Sequence, residues 1–239
     1  MDRAIALRGR DYKFNDFITI HFPTFDEIVD YGIDDYFGVI YKFCSTPSDY
    51  KVWLADCGIN YDELDDYEFF LILADKFDDK EKQGLRMVFG DFDISEFEIT
   101  TDTNNNVILA LGNKIFDKAV YLQIVDILRM VHNFTRRADK PGNEHTRKYI
   151  IEKERRQLKR RRKKEESPII GRMVALINSQ EFKYDYETIW KLNVFQFNES
   201  LRQIQKNKNF TFVMQGIYAG TVDGKKINMN NIHWLSSDA

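Results

Sequence analysis

Apolar side chains recur at helical spacing through most of this chain, and at strand spacing in a few short runs. Asp16–Phe22 (DFITIHF) is β-branched and aromatic and predicts a strand, ended by Pro23. Thr24 followed by Glu27 has the spacing of a capping box, in which each side chain satisfies a backbone N–H that the helix leaves open. A helix is therefore expected from Thr24, with Phe25, Ile28 and Val29 on its buried face. A second is predicted over Asp34–Phe43, a short one over Ser48–Asp56 stopped at Gly58, and a strong one after Asn60 and Glu63, which repeat the capping spacing. Asp79–Phe89 predicts another, closed by Gly90. Phe97–Thr100 and Val107–Leu111 fit a hairpin across the turn-rich Thr101–Asn106, and Lys114–Phe134 returns to helix.

The second half repeats the helical pattern. Ser167-Pro168 opens a helix with Ile169, Ile170, Met173, Val174, Leu176 and Ile177 as its apolar set. Asp185–Leu192 predicts a short helix around Ile189 and Trp190. Asn193 caps a longer one through Phe195, Phe197, Leu201 and Ile204, then Phe210, Phe212, Val213, Met214 and Ile217, broken up towards the end by Gly216, Gly220 and Gly224. Ile232, Trp234 and Leu235 give the chain an apolar end, expected to dock back on this unit. The predicted fold class is mainly α with a small β element, an α+β fold.

Charge divides the chain more sharply than hydropathy does. Arg147–Glu166 holds eleven Lys/Arg against four Glu, a net +7, and Arg160–Lys164 is unbroken. Residues 1–146 carry 16 basic and 28 acidic side chains, and residues 167–239 carry 8 and 6. With Pro141-Gly142 marking a bend, three parts are expected: an acidic domain over 1–135, a basic helical connector over 136–167 and a small helical C-terminal domain over 168–239. Beyond Leu158 the connector has nothing apolar to bury, so it is expected to be solvated and to swing. The acidic clusters Asp62–Asp66 and Asp75–Asp79 lack the loop spacing of a calcium hand and are expected to be solvated.

Candidate chemistry adds little. The four histidines, His21, His132, His145 and His233, fall in different elements, and His132 lies on an apolar helix face near Leu128. There is no GxSxG, Walker loop, GxGxxG or HExxH motif, so no catalytic residue, cofactor or metal is expected and no enzyme is predicted. Cys44 and Cys57 form no CxxC pair and are expected as reduced, buried thiols. No apolar run is long enough to span a membrane, and the charged N-terminus argues against secretion.

The tail carries a resemblance. Its segments IWKLNVFQFNESLRQIQ, QGIYAGTVDGKKI and HWLS, within Pro168–Ser237, are similar to those of tailed-phage proteins of the virion-assembly gene block, near the tape-measure gene. The resemblance implies a tail assembly chaperone, which would bind the tape-measure protein, the tail-tube protein or both in the host cytoplasm before the tube polymerises. The alternatives are a structural tail or baseplate component that stays in the virion, and a nucleic-acid-binding regulator working through the basic run. Self-association is a further partner class, a membrane is not, and nucleic acid is disfavoured because the run lacks interleaved aromatics. The partner-binding candidates are Arg160, Arg161, Arg162, Lys163 and Lys164 for steering. For an apolar groove they are Trp190, Phe195, Phe197, Phe210, Tyr218 and Trp234, unless these aromatics instead fill the tail's own core.

Overall fold

The computed structural model describes residues 1–160 and 168–236. A short helix, α1 (Arg3–Leu7), precedes an antiparallel pair, β1 (Tyr12–Lys13) and β2 (Thr19–Ile20). Asn15 turns this hairpin by accepting the N–H groups of Phe17 and Ile18 at 3.0 and 2.7 Å. Of the predicted strand Asp16–Phe22 only Thr19–Ile20 is paired, because the hairpin turn occupies the preceding residues.

Helix α2 (Phe25–Tyr31) starts with the predicted Thr24–Glu27 capping box, and α3 (Ile33–Cys44) follows. A 3-10 turn, Pro47–Tyr50, leads into α4 (Lys51–Asp56), where Gly58 takes a left-handed φ of 75°. The next helix, α5 (Asp66–Ala74), begins later than Asn60 suggests. Asn60 heads only a 3-10 turn, and the working capping box is Asp65 with Glu68. Helix α6 (Asp79–Phe89) ends at Gly90 as predicted.

A three-stranded antiparallel sheet then forms in the order β3 (Glu98–Thr101), β4 (Val107–Leu111), β5 (Lys114–Phe116). The third strand corrects the expectation of a helix from Lys114. Gly112, at φ 60°, folds Lys114 back onto Leu111, and the helix α7 (Lys118–His132) waits for the cap at Asp117. The remaining helices are α8 (Glu144–Arg160), α9 (Pro168–Ile177), α10 (Val194–Tyr218) and α11 (Met229–Ile232). Asp185–Leu192 forms only a 3-10 turn at Ile189–Lys191, and α10 runs unbroken through Gly216. The fold is mainly helical with two small antiparallel sheets, an α+β fold.

One apolar cluster draws side chains from both sides of the basic segment: Phe25, Phe70 and Tyr121 on one side, Met173, Leu176 and Phe197 on the other. At its centre the rings of Phe70 and Tyr121 stack with centroids 4.4 Å apart. A smaller cluster of Leu54, Tyr61, Phe69 and Leu73 takes Ile151 of α8 against it. Cys44 is buried, and burial pushes its thiol up to about 12, whereas Cys57 is exposed at the end of α4, against the expectation that both are buried. Among the described residues no helix is long and apolar enough to cross a membrane.

Candidate interaction surface

The basic segment meets the acidic body through specific pairs. Arg147 contacts Asp62 at 2.7 Å, and Arg155 contacts Asp56 at 2.7 Å. Beneath them Lys51 is 0% exposed and donates to Asp139 and to the Ser48 carbonyl, with Glu154 of α8 3.6 Å away. Arg137 closes this network on Glu154 at 2.9 Å, and its hydrogen bond holds the Glu154 carboxyl below the usual range. For Asp139 burial opposes the charge, but Lys51 and Arg137 outweigh it and its carboxyl is also held low. Residues 144–160 are therefore docked rather than swinging, because Ile151 finds an apolar seat and opposite charges flank it. Arg160, at the end of α8, is exposed. The rest of the predicted steering set, Arg161, Arg162, Lys163 and Lys164, lies outside the described residues.

The acidic clusters are also committed locally. Asp66 is buried and accepts from Arg136 at 2.8 and 2.9 Å, while Asp65 and Asp78 cap α5 and α6. Their expected role as a solvated face is corrected for Asp66, which is buried, whereas Asp78 is exposed as expected. His132 is the structural histidine its helix position suggested: it is buried between Tyr36 and the Leu128 carbonyl.

The aromatic candidates separate into two groups. Phe195 and Phe197 are buried, and Phe197 packs edge-on to Phe25 at 5.2 Å, so neither lines a groove. They sit in the first turn of α10, whose start is enclosed by α1 and α2: Asn193 donates to the Ala6 carbonyl at 2.9 Å, and Arg3 pairs with Glu199 at 2.8 Å. Trp190 is half-buried, its indole N–H donating to the Tyr186 carbonyl at 2.8 Å. Tyr218 is 81% exposed and Trp234 37%.

Beyond Ile204 the character of α10 changes. No residue from Leu201 to Ser236 is fully buried. The outer part of α10 extends about 20 Å at 1.5 Å per residue, and the chain after Tyr218 returns along it. The return is held closely: a Cβ on Gly216 would lie 2.7 Å from the Val222 side chain, and one on Gly224 would lie 3.3 Å from Ile217. Nearer the body, Gln203 and Lys206 donate to the carbonyls of Trp234 and Ser236 at 2.7 and 3.2 Å, and Phe210 meets His233 at 5.2 Å. The C-terminal segment thus docks back on its helix as predicted. It does so mainly through backbone carbonyls, leaving Leu235 67% exposed and, across the arm, Phe212 66% exposed. Periodicity identified the apolar residues of this arm, but not that they would have so little to cover them.

A separate groove of about 920 Å³ opens between α5, β4 and the first turns of α7. Leu64, Leu71, Ile72 and Leu122 line it, and Asp65, Glu68, Asp102 and Asp117 stand around it with Lys118. No single stretch of sequence contains this groove, since its walls come from residues about fifty positions apart in the chain, so sequence reasoning missed it.

A family model described as the YomV second domain matches residues 163–237. The match takes in α9, α10 and the returning arm, and so all three segments that carry the resemblance. No curated protein and no solved structure matches the chain.

Proposed function

We propose that this chain is a non-enzymatic binding protein of prophage virion assembly, a chaperone that holds the tape-measure protein or the tail-tube protein before the tube polymerises. YomV is a Bacillus prophage-associated protein, and the matched region is the one whose segments resemble virion-assembly proteins. The observation that carries the binding role is the arm, on which Phe212 and Leu235 stay largely in water. An amphipathic client helix presents apolar anchors at i, i+3, i+4 and i+7, which exposed side chains of this kind can cover.

Co-expression with the tape-measure and tail-tube proteins of the same prophage tests the reading. Expected is a complex with one of them that a Phe212→Ser/Leu235→Ser variant loses while its circular dichroism is unchanged. Mass spectrometry of purified particles should not find the chain. Its presence there in stoichiometric amount would make it a tail or baseplate component, and recovery with nucleic acid alone would overturn the assembly role.

A further inference from the structure

The arm and the groove are complementary in charge and in character. Along residues 205–236 the arm carries Lys206, Lys208, Lys225 and Lys226 against Asp223, a net +3. Around the groove stand Asp65, Glu68, Asp102 and Asp117 against Lys118, a net −3. The arm's tip offers an aromatic side chain, Tyr218, that is 81% exposed, and the groove offers an apolar floor of Leu64, Leu71, Ile72 and Leu122. The exposure of Tyr218 also shows that the groove of its own chain does not take it.

We propose that the groove between α5, β4 and α7 receives the arm tip of a second copy of this chain, with Tyr218 on the apolar floor and Lys225 and Lys226 facing the acidic rim. A contact between unlike patches either grows into an open chain or closes. Two copies exchanging arms reciprocally close it as a two-fold dimer, in which both grooves are filled and both tips are covered. Several of the rim carboxylates are already fixed by local duty: Asp65 and Asp117 cap helices and Asp102 holds the β3–β4 turn, so their negative charge is held in position before the arm arrives. Pre-positioned charge of this kind steers encounter and fixes register. The inference rests on exposure and charge, not on the assembly role, and it stands or falls without any client.

Light scattering behind gel filtration on the full chain tests it, across a concentration and salt series. Expected is a species of twice the 28.4 kDa chain mass that dissociates as salt rises. Lys225→Glu/Lys226→Glu reverses the arm. Val107→Lys/Ala119→Lys cuts the groove's net charge from −3 to −1 at two exposed lining positions without touching a capping carboxylate. Each variant alone should weaken the dimer by about tenfold or more. Circular dichroism on each variant separates lost association from lost fold. A chain that stays monomeric at low salt overturns the proposal. So does a dimer that neither variant weakens while both are folded.

Discussion

The backbone N–H of Phe25 donates to the carbonyl of Leu192 at 2.9 Å, and one residue earlier in one segment and one later in the other Thr24 and Asn193 form an antiparallel bridge. Each of these residues is the start of a helix: Thr24 caps α2 and Asn193 caps α10, both with complete capping boxes. Two helix N-termini, 169 positions apart in the chain, are thus stitched together through their backbones. The region matched by the family model is fixed here to the first thirty residues.

Cutting the chain in the basic run therefore should not release the tail. Trypsin is expected to cleave first within Arg160–Lys164, giving an acidic fragment and a tail fragment that co-elute on gel filtration under native conditions. Phe197→Ala, which removes a fully buried ring against Phe25, should cost about 3–5 kcal/mol and let the nicked fragments part. Fragments that separate at once from the native sequence, each still folded, would show independent units at 1–135 and 168–239.

His132 gives the fold an acid-sensitive joint. Its Nδ1–H donates to the Leu128 carbonyl at 2.8 Å, so Nε2 is bare and accepts the Tyr36 hydroxyl at 2.9 Å. Burial favours the neutral ring and pulls its pKa down to about 4, against about 6.5 in the unfolded chain. Between those values the unfolded state binds the extra proton, so stability is full above pH 6.5 and falls as the pH drops towards 4, by about 3 kcal/mol in all. Urea unfolding from pH 7 to 4.5 should show that slope, and His132→Gln should flatten it. An equal slope in the variant would place the titration elsewhere.

Local chemistry was legible and distant chemistry was not. Thr24–Glu27, Gly90 and Asn193 could be read because a cap needs only residues three or four apart. Asn60–Glu63 carries the same signature, yet Leu64 is extended and the helix starts at Asp66, since two overlapping signals compete and the second one leads the apolar run. Strand β5 is three residues long, too short for a period of two to show, and Ile115 fitted the helical pattern of α7 as well. On the surface, the exposed Tyr218 and Trp234 could be named but not told apart from the buried Phe195 and Phe197. All four lie in or beside one helical pattern, and what differs is whether α1 and α2 cover that stretch. The docking of α8 brings Arg147 to Asp62 and Arg155 to Asp56, pairs 85 and 99 positions apart, which no spacing rule can anticipate.

If the basic run steers an acidic partner, its charge and not its shape is what matters. Replacing Arg160, Arg161, Arg162, Lys163 and Lys164 with Gln should leave the unfolding midpoint nearly unchanged. It should slow association with the captured tail protein and flatten the salt dependence of that rate, with little effect on dissociation. Stopped-flow binding at several salt concentrations reads both rates. A variant with unaltered association kinetics would remove the run from the binding step, and one that unfolds would make it part of the packed structure.

The buried ammonium of Lys51 decides whether α8 stays docked. Its charge is enclosed by Asp139 and Glu154, and Arg137 shares both carboxylates. Lys51→Met leaves those two partly buried acids with one cation instead of two, so it should destabilise by up to about 3–5 kcal/mol, the range for breaking a buried pair. By contrast Arg155→Gln removes a solvent-screened pair with Asp56, and the unfolding midpoint should hardly move. The two variants also differ in what they loosen. In Lys51→Met, amides of α8 should exchange their hydrogens faster than those of α7, because Glu154 loses the contact that ties its helix to α4. Uniformly faster exchange through α7 and α8 together would mean that Lys51 stabilises the whole fold, with no special hold on the basic helix.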